Sequence, residues 1–211
     1  MLREVMRVMV PASLLPVLHK SSFEAWQAMP GRERNNEDHE AQVAEGFRAQ
    51  AQLVAVPSKS VLQRAERERV SMILEGVHAL PDLLEDVIED PETITVHVTL
   101  AVLKSSELKS RLRGRGTEEP QRKAKRYLKG FDSIWSLQSF LLSEADLYDA
   151  PIITNDDRSK AIHQIIVVIN DEISRHFGGT PDTVFGDVVI QLEDRPDRER
   201  WESLVPELIN G

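Results

Sequence analysis

The sequence predicts an α/β protein with a doubly wound, mostly parallel sheet, and three observations carry that prediction. Residues 70–74 bring four apolar side chains (Val70, Met72, Ile73, Leu74) into five positions and then stop on Glu75-Gly76, as a strand buried on both faces does. Residues 93–102 alternate and then turn continuously apolar, which predicts a second strand, and residues 151–154 predict a third. Helical periodicity fills the intervals, and alternation of strand with helix is the pattern of a parallel sheet covered on both faces.

Composition sets the class. The chain has 211 residues, 41% hydrophobic and 29% charged, enough for one sizeable α/β domain with a buried core. It contains no cysteine, so disulfides and thiolate metal sites are excluded, in keeping with a reducing compartment. Its apolar runs, such as residues 165–169, are too short to span a bilayer, and the first residues lack the apolar core of a secretion signal. A cytoplasmic protein with no membrane partner is the expectation. The formal net charge is −9, yet residues 104–129 hold ten Lys/Arg against three Glu, a local +7 that leaves −16 elsewhere. A protein for duplex nucleic acid needs a broad positive surface, so nucleic acid is not expected as a partner. One basic arm suits a small anionic ligand; a solvated charged helix is the plainer reading.

Taken in order, the chain opens with a helix in which Leu2, Val5, Met6 and Met9 repeat at helical spacing and Arg3 and Arg7 share another face. Pro11 ends it, Pro16 sits near the start of the next piece, and Ser21 or Ser22 can cap a further helix. His19 on its own is more often structural than catalytic. Residues 30–38 are polar and read as an exposed loop. A long helix follows over residues 39–69, with Val43, Phe47, Gln50, Ala51 and Val54 on one side and Pro57 expected to kink or split it. After the strand at 70–74, residues 79–89 read as a short helix. Residues 104–112 read as another, broken at 114–117, and residues 118–147 as one long helix. Residues 162–177 form an amphipathic helix stopped by Gly178-Gly179. The tail offers a strand at 184–192 and a helix at 198–209.

Glu75 stands where open α/β sheets do their chemistry, at a strand's carboxyl end, and Gly76 beside it lets the chain turn and a ligand approach. An ordinary strand end with a solvated carboxylate explains it about equally well. No zinc-type spacing of His, Asp and Glu occurs, and no Gly-x-Ser-x-Gly elbow.

Several stretches, in order, resemble the archaeal-type 2-phosphoglycerate kinases of the P-loop kinase group. They are Arg3-Glu4-Val5-Met6-Arg7, Leu14-Leu15-Pro16 with Leu18-His19, and Ser21-Ser22-Phe23-Glu24-Ala25-Trp26. Further on come Glu45-Gly46-Phe47, Leu74-Glu75-Gly76-Val77-His78, and Lys125-Arg126-Tyr127-Leu128-Lys129 with Phe131. The resemblance covers about residues 2–175. It implies a three-layer, doubly wound, mostly parallel sheet of P-loop-kinase type from which the first strand, phosphate loop and second strand are missing. Residues 1–177 would be the kinase-like core and residues 178–211 a C-terminal extension. No Gly-x-x-x-x-Gly-Lys-Ser/Thr occurs in the 211 residues, so the donors that hold the β- and γ-phosphates are not supplied here.

The resemblance further implies an ATP-dependent phosphotransferase that uses ATP and Mg²⁺ on a small phosphorylated hydroxy acid, impaired in this chain for want of the phosphate loop. Arg3, Arg7, His19, Ser21, Ser22 and His78 would bind the acceptor. Glu75 would orient the attacking hydroxyl or hold Mg²⁺ through water. Arg111, Arg113, Arg115 and Arg122 would form a lid that neutralises the transferring phosphoryl group. The alternative is a non-catalytic kinase-like remnant that binds an anion or a partner protein. In either case the strands at 70–74 and 93–102 would face an absent strand. A second copy of the chain, a partner segment, direct closure of the two strands or the tail at 184–192 would then have to pair them.

Overall fold

A computed structural model describes residues 1–30, 39–118 and 124–178. The chain divides into two compact units, Met1–Thr154 and Asn155–Gly211. The first unit is built on one helix. α3, His39–Glu68, carries Val43, Phe47, Gln50, Ala51, Val54 and Ala55 as a buried face, the stripe that the periodicity predicts. It does not break at Pro57, because buried side chains on both sides of the proline (Val54, Ala55, Ser58 and Ala65) hold the two halves against their neighbours. It ends with Arg69 in the left-handed region (φ 52) while the Val70 N–H reaches back to the Ala65 carbonyl at 2.9 Å, the i+5 closure of a Schellman turn.

Ahead of α3 come α1 (Leu2–Met9), α2 (Pro16–His19, with Pro16 in its first turn) and a 3-10 helix, Ser22–Ala28. The 3-10 helix lies almost backbone to backbone on α3. A Cβ added to Gly46 would stand 2.2 Å from the Trp26 nitrogen and 2.3 Å from its Cα. Phe23 from the 3-10 helix joins Val43, Phe47, Ala51, Leu80 and Leu137 in the central cluster, flanked by Trp26, Tyr127, Ile134 and Phe140.

The sheet is smaller than the sequence predicts. β1 (Thr99–Ala101) runs parallel to β2 (Ile152–Thr154) with Thr99 opposite Ile152, Leu100 opposite Ile153 and Ala101 opposite Thr154. Between them run α5 (Ser105–Glu118), α6 (Ala124–Lys129) and α7 (Phe131–Leu147), a crossover of the kind that parallel strands require. α7 packs on both strands, and Gln138 caps the end of the ladder: its Oε1 accepts from the Val102 N–H (3.2 Å) and its Nε2 donates to the Val102 carbonyl (3.1 Å). The architecture is mixed helix with a small parallel sheet, compatible with an α/β kinase-like fold.

Three expectations need correction. Residues 70–74 form no ladder with any described residue. Val70, Met72 and Ile73 are exposed, Ile73 at 96%, so the run is not a buried strand. An apolar stretch becomes a strand only beside another strand, and here no described residue forms a ladder with it. Residues 93–98, expected as the first part of a strand, are likewise outside the ladder. The break expected at 114–117 is absent, since α5 runs through Gly114 and Gly116. Glycine lowers helix stability by about 1 kcal/mol without forbidding a helical φ. Within the expected helix 118–147, Gly130 separates α6 from α7. There the Phe23 ring leaves no room for a side chain, a Cβ lying 2.6 Å from its Cε2.

α4 (Pro81–Leu84) is a single turn. The second unit, in its described part, is α8 (Arg158–His176), whose start is capped by the Asp157 carboxylate accepting from the Lys160 N–H at 2.9 Å. Gly178 follows at φ +63, as expected of a glycine at a helix end. Most of the expected loop at 30–38, together with the strand at 184–192 and the helix at 198–209, lies outside the described residues.

Gly46→Ala tests the central contact. A methyl group there must push two backbones apart, so the variant should lose about 3 kcal/mol or more, read as a fall in denaturant midpoint or loss of a cooperative transition.

Candidate functional site

α1, the 3-10 helix, α3 and the loop before α4 bring four polar side chains to one place. Arg3 Nη1 donates to Ser22 Oγ (3.2 Å), to Gln50 Oε1 (3.4 Å) and to the Lys20 carbonyl (3.5 Å). His78 Nε2 lies 2.8 Å from Gln50 Oε1 and 3.3 Å from Ser22 Oγ. The imidazole stacks on Phe47, centroids 5.4 Å apart and planes 25° from parallel, so its plane is set by a core residue. Gln50 is fully buried on α3, one turn beyond Gly46. Gly76, at φ +153, is the glycine turn by which the chain leaves Glu75 and reaches His78.

Around this cluster the other expected residues take separate places. Arg7 pairs with Glu4 at 2.8 Å, and Glu4 also meets Arg3 Nη2 at 3.3 Å, so one carboxylate bridges both arginines. Arg7 Nε is buried and has no hydrogen-bond partner among the described residues. Ser21 takes the N-cap position of the 3-10 helix without a capping bond. Its Oγ instead accepts from Arg126 (2.8 Å), which also pairs with Glu24 and so ties α6 to the 3-10 helix. His19 Nε2 donates to the Val10 carbonyl at 2.8 Å, fastening α2 to the end of α1. Glu75 is exposed and makes no side-chain bond to a described residue. Arg111 pairs with Glu107 one turn away at 2.5 Å, and Arg113 is exposed on the same helix. The side chain of Arg115, and all of Arg122, lie outside the described residues.

The electrostatics follow from burial. Desolvation, with the positive charges of Arg3 and the chain's amino terminus, lowers the His78 pKa to about 4, so the ring is neutral near neutral pH. Burial works against the Glu4 carboxylate, but hydrogen bonds from Arg3 and Arg7 outweigh it and hold its pKa below the ordinary value. The cluster therefore combines a cation, a hydroxyl and a neutral imidazole, groups suited to an anion and to a hydrogen-bonding neighbour. Among the described residues no three His, Asp or Glu side chains gather to hold a metal ion. No described helix is long and apolar enough to cross a membrane.

Two members of this neighbourhood were missed by reading the sequence for function. Gln50 stood on the apolar side of α3, and a polar residue in an apolar stripe was the available signal. Arg126 belonged to a basic run in which nothing marked it out from its neighbours.

The scaffold is that of an α/β protein compatible with a kinase-like fold, and comparison with known proteins finds relatives of one kind. A 2-phosphoglycerate kinase of Pyrococcus furiosus is 33% identical over 165 residues, 78% of this chain and 51% of that protein. One from Methanopyrus kandleri is 32% identical over 173 residues, 82% of this chain and 51% of that protein. One from Methanocaldococcus jannaschii is 27% identical over 173 residues, 82% and 53% respectively. No family model matches the chain, and no solved structure matches it. Over about four-fifths of its length the chain is similar to archaeal 2-phosphoglycerate kinases, and it spans about half the length of the curated relatives it matches.

The lowered pKa of His78 predicts a pH dependence. The unfolded chain binds this proton near pH 6.5 and the folded chain only near pH 4, so between those values the unfolded state holds more protons. Stability contributed by the neutral ring is present above about pH 6.5 and is lost on acidification through that window. His78→Gln, which cannot titrate, should flatten the loss in denaturant melts taken at about pH 7 and pH 4.5. An equal loss in both proteins would remove His78 as its source.

Proposed function

We propose that this chain provides the acceptor-binding part of an ATP-dependent phosphotransferase of the 2-phosphoglycerate kinase kind, acting on a small phosphorylated hydroxy acid. The observation that carries the reading is the convergence of Arg3 and His78 on Gln50, with Ser22 bonded to both and lying 56 residues from His78 in sequence. Each of the three lies in a stretch that resembles the family. Arg3 and Arg7 would meet the acceptor's phosphate or carboxylate, with Ser22 and His78 beside them. Ser21 and His19 would act from the next positions, through Arg126 and the end of α1. Arg111, Arg113 and Arg115 on α5 would close over the transferring group. Magnesium would arrive on the nucleotide's phosphates keeping most of its waters, supplying charge neutralisation, and Glu75 would hold one of those waters.

In this reading residues 70–74 enter a larger three-layer sheet of P-loop-kinase type beside a strand that the described residues do not contain. Residues 1–177 act as the kinase-like core, in a reducing cytoplasm. The exposed apolar side chains Val70, Met72, Ile73 and Val77 support that placement. They equally support a second reading, a non-catalytic module that binds an anion and a partner or a second copy through this strip.

Titration calorimetry separates the two. 2-Phosphoglycerate should bind the chain without nucleotide, and Arg3→Ala should weaken it by about tenfold to a hundredfold. ATP–Mg²⁺ should bind only at about millimolar concentration or weaker, lacking a cradle of backbone donors. Absence of 2-phosphoglycerate binding would overturn the acceptor assignment. Failure of that ligand to protect residues 104–118 from proteolysis would remove the lid.

A further inference from the structure

We propose that Gln50 is the positioning residue of this site: its buried amide fixes His78 as a hydrogen-bond acceptor at Nδ1, which suits the site to a ligand hydroxyl beside an anionic group. The positioning half of this statement stands on the geometry alone; the ligand half rests on the acceptor-site reading above.

The argument is one of donors and acceptors. Gln50 Nε2 lies 2.6 Å from the Val17 carbonyl and 3.1 Å from the Lys20 carbonyl, and a carbonyl can only accept. The end of the amide facing them must therefore be the NH₂ group, and both of its hydrogens are used. This orients the side chain chemically, with Oε1 turned toward His78 and Arg3. An amide oxygen can only accept, so His78 Nε2, 2.8 Å away, must carry the ring's hydrogen. Burial and the neighbouring Arg3 and N-terminal charges disfavour a second ring proton. Nδ1 then keeps its lone pair, and it has no partner among the described residues. Phe47, stacked on the ring, holds the plane in which that lone pair points.

Ser22 completes the pattern. Its Oγ accepts from Arg3 Nη1 at 3.2 Å and lies 3.3 Å from the protonated Nε2, so neither neighbour needs its hydroxyl hydrogen. The network thus leaves one bare acceptor, His78 Nδ1, and one unused donor, the Ser22 O–H, next to a guanidinium. A ligand hydroxyl can donate to the bare Nδ1, while an anionic oxygen of the same ligand accepts from the Ser22 O–H and the guanidinium. Sulfate, which only accepts at neutral pH, would leave Nδ1 unmatched.

The test is nitrogen NMR on the full chain carrying ring-¹⁵N histidine, with the His78 signals assigned by their loss in His78→Gln. The expected spectrum at neutral pH shows Nε2 protonated and Nδ1 bare. A ring protonated at Nδ1, or at both nitrogens, overturns the proposal. Gln50→Met, close in size and unable to bond, should release the ring to a mixture of tautomers; an unchanged Nε2–H tautomer in that variant, with a cooperative melt, also overturns it. Should Gln50→Met fail to fold, the spectrum of the unaltered chain still decides. Adding 2-phosphoglycerate should shift the Nδ1 resonance more than sulfate, an anion without a hydroxyl, does. His78→Gln keeps an N–H where Nε2 was but has no acceptor at the Nδ1 position, and should bind 2-phosphoglycerate about tenfold more weakly than the native chain. An Nε2–H tautomer with no response to 2-phosphoglycerate would uphold Gln50's role and sink the acceptor reading instead.

Discussion

At Gly46 the backbone of α3 comes so close to Trp26 that no side chain fits between them, and the rest of the first unit is arranged around that contact. Because the two backbones touch there, Phe23 reaches the α3 face and enters the core with Phe47 and Val43. The same approach brings the Lys20 carbonyl within reach of Gln50, one helical turn along, and Ser22 beside Arg3 and His78. A glycine chosen by packing thus also sets the separation of the polar side chains. The site is a by-product of how tightly two helical segments meet.

A second constraint holds the far side of α3. Arg48, half-buried, pairs with Asp82 of α4 and with Glu144 of α7 at 2.7 Å, while both carboxylates are mostly buried. An arginine shared between two buried acids is worth more than an exposed pair, since water competes less for either partner. It secures α4, and with it the segment that carries His78, to the helix that carries Gln50. The neutral His78 is the complement of this arrangement. Charge is tolerated in the unit where acids and arginines pair, and the imidazole, near Arg3 with no acid against it, stays uncharged.

The half-length match to the 2-phosphoglycerate kinases bears on residues 70–77. Their apolar side chains are exposed beside a helix end, a turn and the only carboxylate of that segment. An exposed apolar strip of this kind is a surface that calls for a partner, and the relatives are about twice as long as the stretch they share with this chain.

What the sequence by itself determined is whatever depends on local periodicity and end signals. The 30-residue α3 with its buried face, the strand segments near 99–101 and 152–154, the end of α8 at its glycine, and the family resemblance were all legible there. Arg3, Ser22 and His78 could be named as site candidates only through that resemblance, each lying in one of the stretches that carry it. Tertiary structure alone decided the rest. Residues 70–74 carry the composition of a buried strand but pair with no other described residue, and a ladder is a property of two segments, not one. At Gly130, between α6 and α7, the Phe23 ring arrives from more than 100 residues away and leaves no room for a side chain. Gln50 and Arg126 gain their roles only from partners distant in sequence, and a hydrogen bond between distant segments leaves no periodic trace in either.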